Sequence, residues 1–311
     1  MPKANLGLFD TAPTRGERRI AVGLVVSLLA VMLLILPVIN RPVGEIQAFV
    51  PAINSAMCVG ELIIAAMLFA QAAIFRSRGL TVLASAYVFT ALLLIPYMMT
   101  FPGVFSVDGM LGAGPSTAGW IMIFRRVAFP LAVIIYALSQ RHEDHDIGDA
   151  QRRSPNLALS IGTAVAAAVA LTSLSILGKD WLPELFASRT AGVLPNIFRF
   201  NIFHLVLLLS ATILLFRTRR SVLDIWLLVA LSTLLIQSML NLPLRVRFTL
   251  GWYSLHLLAL LSHLVVLVAL IAESNRLYAR LAVATALRDR ERDARMMTMD
   301  AVTAAIAHVG K

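Results

Sequence analysis

The stretch IAVGLVVSLLAVMLLILPVI (20–39) decides the fold class, because it holds twenty residues without one charge. A helix of that length rises about 30 Å, the thickness of the hydrocarbon core of a bilayer. Arg15, Arg18 and Arg19 precede it, which gives it the look of a secretory signal. It is too long for that, and no small-residue cleavage pattern follows, so it reads as an uncleaved first span. Runs of the same kind recur at 50–74, 80–100, 118–139, 156–177, 197–216, 222–240 and 252–272. Lipid offers no partner to a backbone N–H or C=O, so each run must satisfy its own polar groups as a helix. The alternation and turn spacing of a β-barrel are absent. The expected fold is all-α: a polytopic membrane bundle of about eight transmembrane helices with a C-terminal cytoplasmic signalling helix.

Composition agrees. Apolar residues make up 59% of the 311 and charged residues 14%, well to the apolar side of soluble domains. The net charge of +10 does not point to nucleic acid, because the basic residues lie mostly in short segments between apolar runs. Placing the N-terminus in the cytoplasm puts 19 Lys and Arg residues on the inner side and 6 on the outer; the remaining two, Arg125 and Arg126, fall within the fourth run. That asymmetry predicts a bacterial inner-membrane protein with both termini cytoplasmic. Cys58 is the only cysteine. It excludes an internal disulfide and a cysteine zinc site and reads as packing, with redox sensing the alternative.

The chain divides into a cytoplasmic segment (1–19), a transmembrane domain (20–272) and a cytoplasmic helical tail (273–311). Two outer loops have some length. FPGVFSVDGMLGAGPST (101–117) is rich in Gly and Pro and predicts turns; 178–196 contains WLPELF, an amphipathic piece suited to the membrane surface. Neither is long enough for a binding domain, so a stimulus must be read within the membrane or at its faces. After Glu273 the chain is rich in Arg and Ala and free of Gly and Pro until Gly310, which predicts that the eighth helix continues as a rod.

Polar residues inside the hydrocarbon are the candidates for function. Glu61 suits a proton relay, a ligand contact or an interhelical hydrogen bond. Arg125 and Arg126 can snorkel to headgroups, pair with Asp108 or Glu61, or hold an anionic ligand. His204, His256 and His263 can make interhelical hydrogen bonds; paired across helices they could also hold haem or a metal, although nothing else in the sequence supports a cofactor and none is expected. Ala158, Gly162, Ala166 and Ala170 form a small-xxx-small stripe that predicts close helix packing. RHEDHD (141–146) is a weak metal-binding pattern or, more simply, a solvated charge run. No P-loop, HExxH or GxSxG occurs.

FPLAVIIYAL (129–138), SVLDIWLLVAL (221–231), RFTLGWYS (247–254) and ESNRLYARLA (273–282) together resemble MASE4, a membrane-associated sensor domain that precedes histidine kinase or diguanylate cyclase output domains in bacteria. The resemblance spans roughly 15–280 and is most specific around Gly251–Tyr253 and Leu277–Tyr278. MDAVTAAIAH (299–308) resembles the first helix of a histidine kinase dimerisation domain, which would make His308 the phosphoacceptor. The family's acidic residue after that histidine is absent here, where Val309, Gly310 and Lys311 follow. The resemblance implies a sensor and signal-relay module of a two-component system in a truncated form that lacks the ATP-binding domain. His308 is then vestigial, and the chain is not an enzyme by itself. The partners implied are membrane lipid, a second copy or an intact histidine kinase, and an unknown response regulator. The alternatives are a diguanylate-cyclase-type sensor and a small integral-membrane transporter, binding protein or enzyme.

Overall fold

The computed structural model describes residues 14–145, 156–188, 192–219, 221–244 and 246–309. Among the described residues eight α-helices follow one another: α1 (Arg15–Ile35, continued by a 3₁₀ turn over Leu36–Val38), α2 (Phe49–Phe75), α3 (Arg78–Thr100), α4 (Thr117–His145), α5 (Leu157–Leu177), α6 (Leu194–Thr218), α7 (Val222–Asn241) and α8 (Leu250–Val309). All eight are long and apolar enough to cross a membrane, so the chain is an integral membrane helix bundle. Each agrees with a predicted run to within a few residues at its membrane-spanning part.

Local chemistry sets several starts. Thr14 caps α1 and Glu17 reaches back to the Thr14 backbone; Ser221 and Asp224 form the same reciprocal box on α7. Ser77 and Asn156 cap α3 and α5. Each side-chain oxygen satisfies an amide that the first helical turn leaves without a partner. Glu17 is also ion-paired to Arg276, which ties α1 to α8 at this end of the bundle.

The helices form two groups. α3 packs against α2, α4 and α5, and α7 against α1, α6 and α8; the groups meet along α2–α8 and α4–α6. The main core runs through Ile64, Leu68, Leu83, Tyr87, Tyr136 and Leu227. α1, α5 and α6 leave apolar residues such as Leu34, Val169 and Phe203 exposed, as lipid-facing helices should.

α8 is one helix of 60 residues, about 90 Å long at 1.5 Å per residue. The expected continuation past Glu273 is therefore present. The backbone that carries His308 belongs to this helix; the His308 side chain lies outside the described residues, as do the side chains of the RHEDHD run.

One expectation is corrected. The stripe Ala158, Gly162, Ala166 and Ala170 does not pack within the chain: all four are exposed, and a Cβ placed on Gly162 would meet nothing within 4 Å. α5 instead presents Ala164 and Ala168 to a second buried cluster that includes Phe89, Leu93, Tyr97 and Trp252. The WLPELF segment packs on the bundle. Trp181 is exposed, but Leu185 is buried, and the amides of Leu185 and Phe186 donate to the Ser116 hydroxyl at 2.9 and 3.0 Å. Trp120 fixes the same segment by donating from Nε1 to the Pro183 carbonyl at 3.0 Å. The segment folds back as a cover over the start of α4.

The 101–117 loop forms turns, as predicted. Gly109 has φ +87°, and a Cβ there would sit 2.4 Å from the Thr100 carbonyl oxygen, so a side chain is excluded.

Candidate functional site

Glu61, Arg125 and His263 come together from α2, α4 and α8. Glu61 is fully buried and Arg125 is 8% exposed. Arg125 is ion-paired to Glu61 through Oε1, and His263 Nε2 lies 2.6 Å from the same oxygen. The snorkelling reading of Arg125 is thereby excluded, and its partner is Glu61. Asp108 is exposed in its loop.

The histidine's other nitrogen fixes the proton count. Nδ1 lies 2.6 Å from the Ala259 carbonyl oxygen, so Nδ1 carries a hydrogen. A contact of 2.6 Å between Nε2 and Oε1 also requires a proton, held either by the imidazole or by the carboxyl. Both forms give the trio one net positive charge. A buried ion pair is costly unless its remaining groups are satisfied; here Glu61 Oε2 and Arg125 Nε have no hydrogen-bond partner among the described residues. The trio is a polar centre between three helices, and α8 contributes one of its three members.

His204 has a structural task. Its Nε2 lies 3.1 Å from the Arg126 carbonyl oxygen and its Nδ1 2.9 Å from the Ser238 hydroxyl. In a regular helix the Arg126 carbonyl would accept from residue 130. That residue is Pro130, which has no N–H to give. His204, reaching across from α6, supplies the missing donor, as neighbouring helices do at prolines in membranes. His204 thus joins α4, α6 and α7.

Arg126 follows Arg125 directly and, at 100° per residue, faces elsewhere. Its side chain lines two neighbouring cavities. The deeper one, of about 50 Å³, also touches Arg125, His204, His256 and His263. The larger, of about 140 Å³, lies toward the starts of α4, α6 and α8 and the end of α7, under the Leu185–Phe186 cover. Met122, Arg126 and His256 are common to both. His256 places Nδ1 2.9 Å from the Trp252 carbonyl oxygen and its ring 4.3 Å from the Trp252 ring centroid. All three histidines line the deeper cavity, but among the described residues no group of three His, Cys, Asp or Glu side chains could hold a metal ion.

Several polar residues at this site are not evident from the sequence. Arg247 has the look of a loop charge. It is buried and stacks its guanidinium 3.7 Å from the Phe186 ring centroid and 4.8 Å from that of Phe101. Asn241 Nδ2 donates to Asn201 Oδ1 at 2.7 Å, joining α7 to α6 at the cavity wall. Both asparagines lie in or beside apolar runs, where a polar residue is itself the signal. A second buried centre joins Tyr136, whose hydroxyl donates to Asp224 Oδ1 at 2.8 Å, with Gln140. The S-x-x-D capping pattern at 221–224 marks it in the sequence.

The comparisons with known proteins add one finding. A family model described as a membrane-associated sensor, integral membrane domain, matches residues 44–278, a segment that contains every member of the site above. No curated protein and no solved structure matches.

Proposed function

This chain belongs to the MASE4 family of membrane-associated sensor domains, and from that premise we propose that it receives a stimulus at the polar centre and cavities between α2, α4, α6, α7 and α8 and relays it through α8 to a histidine-kinase-type output. The observation that carries this reading is the double role of α8. Trp252 and His256 line the larger cavity, His263 completes the buried trio, and the same helix runs unbroken to Val309. A stimulus that alters the contacts of His256 or His263 bears on the helix that leaves the bundle, and a shift of about 1–2 Å or a small rotation of a packed helix is a common switching motion. The kinase assignment rests on the resemblance of 299–308 to a dimerisation helix. The chain's own part is reception and relay; phosphoryl transfer belongs to a nucleotide-binding domain. A second copy or an intact kinase would pair with the tail of α8, and a response regulator would receive the signal.

The test is a phase experiment on α8. The full chain is joined after Val309 to the dimerisation and ATP-binding portions of a histidine kinase, and one to seven alanines are inserted after Ala284. Each residue turns the downstream helix by about 100°. Autophosphorylation is expected to rise and fall with helical period across the series. A flat response would refute relay through α8.

We place the protein in the bacterial inner membrane with both ends in the cytoplasm, on the 19-to-6 distribution of basic residues. On a Cys58→Ala background, Arg41→Cys and Ser77→Cys are expected to differ toward an impermeant maleimide on spheroplasts. The thiol at position 41 should react and the thiol at position 77 should not; the opposite pattern reverses the orientation.

A further inference from the structure

We infer that the larger cavity binds a small organic carboxylate with a flat, ring-sized apolar body, held by its charge at Arg126. The inference rests on the sensor reading above and names the ligand class of the same site.

The walls determine the chemistry. Arg126 and Arg247 both line this cavity, and among the described residues no Asp or Glu does. Among the described residues the Arg126 guanidinium has neither an ion pair nor a hydrogen bond. The charge of Arg125, one residue away, is met by Glu61, so no carboxylate is shared between them. A guanidinium held in a membrane bundle without a counter-charge is costly, and an anion entering the cavity would relieve that cost. The planar fork of arginine matches the two oxygens of a carboxylate. Asn201 adds a donor: its Oδ1 is taken by Asn241, which leaves its own NH₂ group for a ligand.

The remaining walls select the body of the ligand. Tyr97, Phe101, Phe186, Phe200 and Trp252 line the same space. Rings packed around a cavity favour a ring between them. An inorganic phosphate would set its further oxygens against these apolar faces without partners, at the desolvation cost such groups carry. The volume of about 140 Å³ is close to the roughly 150 Å³ of an engineered apolar cavity that accepts benzene.

The experiment uses the full chain in phosphatidylcholine nanodiscs, with sodium benzoate as the probe, benzamide as its uncharged counterpart and inorganic phosphate as the ringless anion. Calorimetric titration is corrected against empty nanodiscs. Benzoate is expected to bind saturably, with benzamide and phosphate each at least ten-fold weaker. Arg126→Gln should weaken benzoate at least ten-fold, and Asn201→Ala, a smaller change that keeps the fold if Arg126→Gln does not, at least three-fold. Arg217→Gln, at the opposite end of α6, should leave binding unchanged. Equal binding of benzoate and benzamide, equal binding of benzoate and phosphate, or equal loss in the Arg126 and Arg217 variants would each overturn the inference. If benzoate fails to bind while the insertion series on α8 keeps its helical period, the ligand class is wrong and the relay stands. If the series is also flat, the sensor reading falls with it.

Discussion

Glu61→Ala will destabilise the folded bundle by about 3–5 kcal/mol, the range for removing one partner of a buried ion pair. The reason is what the substitution leaves behind. Arg125 stays buried on α4 with its charge unmet, and His263 loses the acceptor 2.6 Å from Nε2. Membrane proteins soften such losses because the unfolded state within lipid also finds polar partners, so the lower end of the range is expected. Replacing the pair together, Glu61→Leu with Arg125→Met, should bring stability back to within about 1 kcal/mol of the parent, since two apolar side chains of similar volume remove both desolvation penalties. Denaturant unfolding in micelles of parent, single and double variants checks both values. Full stability in Glu61→Ala would show that the trio is not assembled as described. The double variant separates two roles: if the pair serves sensing, it will fold and lose the response of α8, because the trio is where α2 and α4 touch that helix with charge.

Much of this architecture is legible in the sequence, for a physical reason. Hydrocarbon permits only self-satisfied helices, so each apolar run of about twenty residues specifies a helix, and the Ala- and Arg-rich tail specifies the continuation of α8. An interhelical bridge from His204 is also within reach of the sequence, and so in principle is its link to Pro130: a proline in a membrane helix announces a free carbonyl four residues earlier. What a linear reading does not contain is which helices are neighbours. Arg125 could be offered Asp108 or Glu61, and only the packing of α2 against α3 and α8 decides for Glu61. The small-residue stripe on α5 misleads for the same cause, since a stripe says that a helix can be approached and not that one of its neighbours does so. Arg247 and Leu185–Phe186 are hidden by a different assumption, that loops and helix ends face solvent, when they close the larger cavity.

Gly251→Val will cost about 3 kcal/mol, at the upper part of the range for forcing extra atoms into a packed site. Gly251 is the second residue of α8, in the GWY stretch that carries the family resemblance. A Cβ at this position would lie 2.1 Å from Ile39 Cγ1 and 2.8 Å from the Ile39 carbonyl oxygen. The first contact could be eased by turning a side chain; the second could not, because backbone hydrogen bonds hold both segments of the contact. Gly251 N–H donates to that same Ile39 carbonyl and Leu250 N–H to the Arg41 carbonyl, each at 2.9 Å. Tyr253 extends the clasp, accepting from the Ile46 amide at 3.0 Å and donating to the Gly44 carbonyl at 2.7 Å. A larger residue must therefore move the start of α8 away from the α1–α2 connection and carry Trp252, His256 and His263 with it. Gly162→Ala on the open face of α5 provides the comparison: it meets nothing within 4 Å and should be neutral or stabilising by up to about 1 kcal/mol through helix propensity. Unfolding of the two variants side by side separates close approach from the general cost of replacing a glycine. If Gly251→Val proves as stable as Gly162→Ala, α8 is not seated on Ile39, and the helix that leaves the bundle is free at the end where the cavity holds it.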